Sequence, residues 1–79
     1  MQLVWRTVVK QEGLWGWRLY DIGDRPHTGW GILAEVKLFL CETKKPIKLW
    51  LFHAATDKHK RIFYTEEEAK AWTIAIVRL

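Results

Sequence analysis

The chain changes period once, near Thr65, and this limits its fold more than any other feature. Before that point, apolar and β-branched residues alternate or run in short blocks between turn residues, as strands do. After it they recur at helical spacing. Thr65-Glu66-Glu67-Glu68 fits a capping box, in which the Thr65 side chain accepts from the Glu68 amide and Glu68 reaches back. Three Glu in the first turn suit the positive end of the helix dipole. Ala69, Trp72, Ile76 and Leu79 then form one stripe, with Arg78 near the negative end. One helix against several strands covers one face of a sheet and leaves the other open.

The strands are expected at about 2–10, 14–22, 30–41, 47–54 and 60–64, and the helix at 66–78. Glu12-Gly13, the loop Gly23–Gly29, Glu42–Pro46 and Ala55–His59 are the turns between them. The segment Trp30–Leu40 also has helix formers, but Val36, Phe39 and the turn after it pair it with Ile47–Phe52 as a hairpin. The fold class is therefore α+β: an antiparallel sheet of four to five strands, curled or barrel-like, against one C-terminal helix. Residues 1–79 are expected to form a single small domain, because the chain is about half a typical domain length.

The hairpin 32–41/47–54 is expected to put Ile32, Ala34, Val36, Leu38, Leu40, Ile47, Leu49 and Leu51 on a core face under the helix. The opposite face would carry Lys37, Phe39, Cys41, Lys48, Trp50 and Phe52. The strand 14–22 adds Trp15, Trp17 and Leu19 to one side and Arg18, Tyr20 and Ile22 to the other. A second face so rich in rings and cations needs cover. The sheet can curl into a small barrel, two chains can bury it together, or a ligand can meet it. Ile74 and Val77 lie off the helical stripe, which adds weight to a homodimer.

Charge is uneven. There are 13 Lys+Arg against 9 Asp+Glu, a net charge of +4, yet residues 44–61 alone carry Lys44, Lys45, Lys48, Lys58, Lys60 and Arg61 against Asp57. Basic groups at both ends of a hairpin, with Trp50 and Phe52 between them, suit phosphates held by cations and bases stacked on rings. The same set could dock an acidic protein surface or serve as edge-protecting lysines.

Catalytic chemistry finds little support. No Ser occurs in the chain, and the five glycines do not form a phosphate loop. His27, His53 and His59 lack metal-ligand spacing. Cys41, the single cysteine, sits among apolar residues and reads as an inert thiol, consistent with a reducing, cytoplasmic setting. No signal peptide or membrane span is expected. The chain is thus read as a non-enzyme without cofactor or metal.

The run KRIFYTEEEAKAW (60–72) resembles the strand-to-helix segment of the arm-type DNA-binding domains of tyrosine recombinases, and WGWRLYD (15–21) is similar to that family's early strand. The resemblance implies a three-stranded sheet packed on one helix, with the sheet entering the major groove. Residues 2–10 and 30–54 are additions to that pattern.

These readings make the chain a small basic binding module. The first expectation is a nucleic-acid-binding accessory protein, with Lys44, Lys45, Lys48, Lys58, Lys60 and Arg61 on phosphates and Trp50 and Phe52 stacking. The alternative is a protein–protein interaction module or inhibitor, such as phages and plasmids encode to block a host complex, acting through an aromatic sheet face or on a second copy of itself.

Overall fold

The computed structural model describes residues 2–23, 26, 30–42 and 48–79. Five strands and one helix follow in chain order: β1 (Leu3–Lys10), β2 (Gly13–Asp21), β3 (Gly31–Glu42), β4 (Lys48–Ala55), β5 (Lys60–Phe63) and α1 (Glu66–Val77). The strands form one antiparallel sheet in the order β1-β2-β3-β4-β5. The sheet is open, with β1 and β5 at its edges, so the expected α+β architecture holds and the sheet does not close into a barrel. Most of the Gly23–Gly29 loop and the turn Thr43–Pro46, together with Lys44, Lys45, Ile47 and His27, lie outside the described residues.

Partners directly opposite in neighbouring strands share a face. One cross-sheet row is Thr7, Trp17, Val36, Ala54 and Arg61; the next row in the same direction along β2 is Trp5, Leu19 and Ala34. These rows lie on the helix-side face. Trp17, Val36, Ala54 and Ala69 make the buried cluster, with Trp5, Phe52, Phe63 and Trp72 packed against it. The row Arg6, Arg18, Glu35, Ala55 and Lys60 lies on the other, open face.

The β3–β4 register corrects the expected division of the hairpin. Leu38 faces Phe52 and Leu40 faces Trp50. Trp50 and Phe52 therefore share the helix-side face with Val36, while Leu49 and Leu51 join Phe39 and Cys41 on the open face. The connection spans five residues, 43–47, and an odd loop pairs even-numbered residues with even-numbered ones. A one-residue slip exchanges the faces of a whole strand. Phe52 is stacked on Trp17, ring centroids 6.0 Å apart.

Trp15 and Trp17 also part company. The β1–β2 ladder shifts between Val8 and Val9: Val8 faces Gly16, Val9 faces Leu14, and Trp15 is the extra residue. Such a bulge re-aims a side chain and bends the strand. Gly16 makes it feasible: its φ is +157°, and a Cβ there would stand 2.1 Å from the Val36 carbonyl oxygen.

α1 packs across β3, β4 and β5. Thr65 caps it as expected, its Oγ1 accepting from the Glu68 amide at 3.1 Å. The return contact differs: the Thr65 hydroxyl donates to Glu68 Oε1 at 3.2 Å. The buried stripe is Ala69 and Thr73, flanked by Trp72 and Ile76; Leu79 is 94% exposed and does not belong to it. Buried Thr73 satisfies its hydroxyl by donating to the Ala69 carbonyl at 2.7 Å. Trp72 meets Phe63 at 5.6 Å on the β5 side. Lys70 closes the β2 side, its ammonium 4.7 Å from the Trp17 ring and 5.4 Å from the Trp5 ring and ion-paired to Glu66 at 2.9 Å.

The molecule is elongated, 49 × 31 × 19 Å, with 5962 Å² exposed. A globular chain of this mass would expose roughly 5,000 Å². No helix among the described residues is long and apolar enough to cross a membrane.

Candidate nucleic-acid interface

The open face gathers cations. Its central row carries Arg6, Arg18 and Lys60, and the adjacent row Val8, Gly16, Lys37, His53 and Ile62 contributes Lys37. With strands about 4.8 Å apart, Arg6 and Lys60 are separated by roughly 19 Å across the sheet. Glu35 is the one acidic residue in these two rows.

Arg18 and Glu35 pair at 2.9 Å, half-exposed, so the pair orients the guanidinium more than it stabilises the fold. The hydrogen bond that Arg18 donates to the Glu35 carboxylate is the largest influence on Arg18 and raises its pKa further, against desolvation. The guanidinium is therefore charged throughout the physiological range.

Rings are interleaved with these cations. The bulged Trp15 has Lys10 Nζ 4.5 Å from its ring centre, Arg18 Cζ at 5.6 Å and Lys37 Nζ at 5.7 Å. Arg6 Cζ lies 5.5 Å from the Trp30 ring, which is tilted against Tyr20 at 5.9 Å. Each of these cations keeps its charge near a ring edge or face, at distances where cation–π attraction operates.

The residues singled out in the sequence do not converge. Lys48 and Trp50 sit on the helix-side face near the β3–β4 connection, both exposed, Trp50 at 54%. Phe52 is packed into the core on Trp17. Lys58 lies in the turn after β4, where the Thr56 hydroxyl accepts from the His59 amide at 3.0 Å. Lys60 is on the open face, whereas Arg61 is on the helix side, 5.3 Å from the Phe63 ring. Lys48 and Lys60 stand at opposite ends of β4, about 23 Å apart at strand rise. Among the described residues of the expected set, only Lys60 joins the basic rows; Lys44 and Lys45 lie outside the described residues. Arg6, Lys10, Arg18 and Lys37 were hidden in segments of zero net charge; alternation along β1 and β2, counted on either side of Gly16, is the signal that unites them.

A second feature adjoins this face. β2 and β3 pair no further than Gly16 with Lys37, but β3 and β4 stay paired to Glu42 with Lys48, and β5 reaches only Phe52. Residues 38–42 and 48–51 thus project as a two-stranded ribbon. A cleft of about 590 Å³ separates it from the β1–β2 hairpin, lined by Lys10, Glu12, Trp15, Lys37, Leu40 and Trp50 among others.

Cys41 lies on this ribbon, half-buried opposite Leu49. Among the described residues no group of three His, Cys, Asp or Glu is placed to hold a metal ion. Comparison with known families, curated proteins and solved structures gives no match.

Proposed function

We propose that the protein is a non-enzymatic nucleic-acid-binding accessory module that uses the open face of its sheet. The supporting observation is the basic cross-sheet row of Arg6, Arg18 and Lys60 beside Lys37, with Glu35 as the one acid of those rows among the described residues and with Trp15, Tyr20 and Trp30 interleaved. Cations at strand spacing bind phosphates without reading sequence, and the rings give bases a surface on which to stack. The face is the one that α1 leaves uncovered. That also suits the recombinase-arm resemblance, which implies a sheet that enters the major groove.

The experiment is a fluorescence-anisotropy titration against labelled single-stranded and duplex DNA across a series of salt concentrations. Binding should weaken linearly in log–log form, and Arg6→Glu with Lys60→Glu should lower the slope by about 1.8 on duplex, at about 0.9 per phosphate contact. Absence of binding at low salt, or a slope indifferent to the double reversal, overturns the reading.

A further inference from the structure

We propose that the fork between the β1–β2 hairpin and the β3–β4 ribbon is a second site, which accepts an extended peptide strand from a protein partner, with apolar and acidic residues alternating along it. This site adjoins the nucleic-acid face and shares Lys37 and Trp15 with it, but rests on the unpaired edge of β3 and not on that reading.

The first argument is the backbone. Beyond Lys37, β3 continues for five residues, 38–42, paired to β4 on one side and, among the described residues, to no strand on the other. Alternate residues of that stretch turn their amides and carbonyls toward the cleft. An unpaired edge of this kind is a template for strand addition, in which main-chain hydrogen bonds supply affinity. The bulge at Trp15 and the close approach of Gly16 to Val36 put the branch point at the last β2–β3 pair.

The second argument is what flanks the edge. A strand laid beside β3 sends successive side chains to opposite faces. On the helix-side face they meet Leu38, Leu40 and exposed Trp50. On the open face they meet Lys37, Lys10 and Trp15, with Glu12 at the rim of the cleft. Apolar residues fit the first side and carboxylates the second, where two lysines outweigh one glutamate.

Other occupants fit less well. Two β3 edges paired about a twofold would gather Lys10 and Lys37 of both copies at one seam. Nucleic acid gains little from the ribbon itself, which is apolar on both faces over Leu38–Cys41 and Leu49–Leu51.

The test uses the whole chain and a fluorescein-labelled synthetic peptide of alternating Val and Glu. Controls are the Val/Lys peptide and the Val/Glu peptide N-methylated at alternate amides. The Val/Glu peptide should bind and slow hydrogen exchange at amides within 38–42. N-methylation should weaken binding about ten-fold by removing ladder hydrogen bonds. Lys10→Glu with Lys37→Glu, both at exposed positions, should weaken it by a similar factor and reverse the preference toward Val/Lys. Equal binding of both peptides, indifference to N-methylation, or protection at 38–42 that rises with protein concentration alone overturns the proposal, the last by identifying a second copy as the occupant. DNA binding and peptide binding of the unsubstituted chain, measured in parallel, separate failure here from failure of the open-face reading, because Lys37 contributes to both surfaces.

Discussion

Gly16 is where a single methyl group should do the most damage. A Cβ at this position would lie 2.1 Å from the Val36 carbonyl oxygen, 3.0 Å from Lys37 Cα and 3.1 Å from the Val36 carbonyl carbon. All three are backbone atoms of the neighbouring strand, so no side chain can swing away. Relief requires β2 to retreat from β3 by more than an ångström, at the pair that ends their ladder. Overpacking of this kind costs about 1–3 kcal/mol. Holding a residue with a Cβ at φ +157° adds about 1–2 kcal/mol of backbone strain. The stiffer unfolded chain returns about 0.4–1 kcal/mol. Gly16→Ala should therefore destabilise by about 1–4.5 kcal/mol, at about 4–8 °C in Tm per kcal/mol for a domain of this size. Two other glycines calibrate the measurement. Gly13 has φ +116° with nothing within 4 Å of an added Cβ, so Gly13→Ala should cost about 1 kcal/mol, from strain alone. Gly31 has open space and no unusual φ, so Gly31→Ala should be neutral or stabilising by a few tenths of a kcal/mol. Urea denaturation followed by circular dichroism gives all three on one scale. If Gly16→Ala falls within about 0.5 kcal/mol of Gly31→Ala, the close strand approach is wrong, and the branch point at Gly16 with it.

Three further changes probe the cover of the core. Lys70→Ala should cost about 1–2 kcal/mol by removing both the stem that lies on Trp17 and Trp5 and the charge above their rings, whereas Lys70→Met should recover the packing part; chemical denaturation of the pair apportions the two. Thr65→Ala should cost about 1 kcal/mol, read as a lower thermal midpoint, because the Glu68 amide loses its acceptor. Thr73→Val should be nearly neutral, since its hydroxyl bonds only the Ala69 carbonyl within the helix, while Thr73→Ala should cost about 1–2 kcal/mol at this fully buried position; calorimetry distinguishes them.

The elements were legible where one signal dominated. Thr65 and the three Glu after it marked the helix start, and the turn residues marked the strands, because capping and turn chemistry are local. Facing was less legible. In β4 the run Leu49, Trp50, Leu51, Phe52 is apolar at every position, so alternation could not choose a register; the parity of the 43–47 connection did. Trp15 and Trp17 are two apart and should share a face, but the bulge between them is a matter of strand pairing, visible in the sequence only as Gly16. The basic surface was mislaid for the same reason. Charge summed along the chain favoured residues 44–61, whereas a sheet assembles charge across strands, and Arg6, Arg18 and Lys60 meet only once the ladder is known.

The strand order has a kinetic meaning as well. Each strand pairs only with its neighbours in sequence, and α1 folds back on the last three of the five. No connection between described strands crosses over the sheet, and every ladder can grow outward from the turn that joins its strands. Loop-closure entropy is therefore charged in small instalments, and contacts stay short in sequence for a mostly β protein. Refolding should follow a single fast exponential, with α1 docking last, because its landing surface of Val36, Ala54 and Phe63 exists only after β3, β4 and β5 have zipped together.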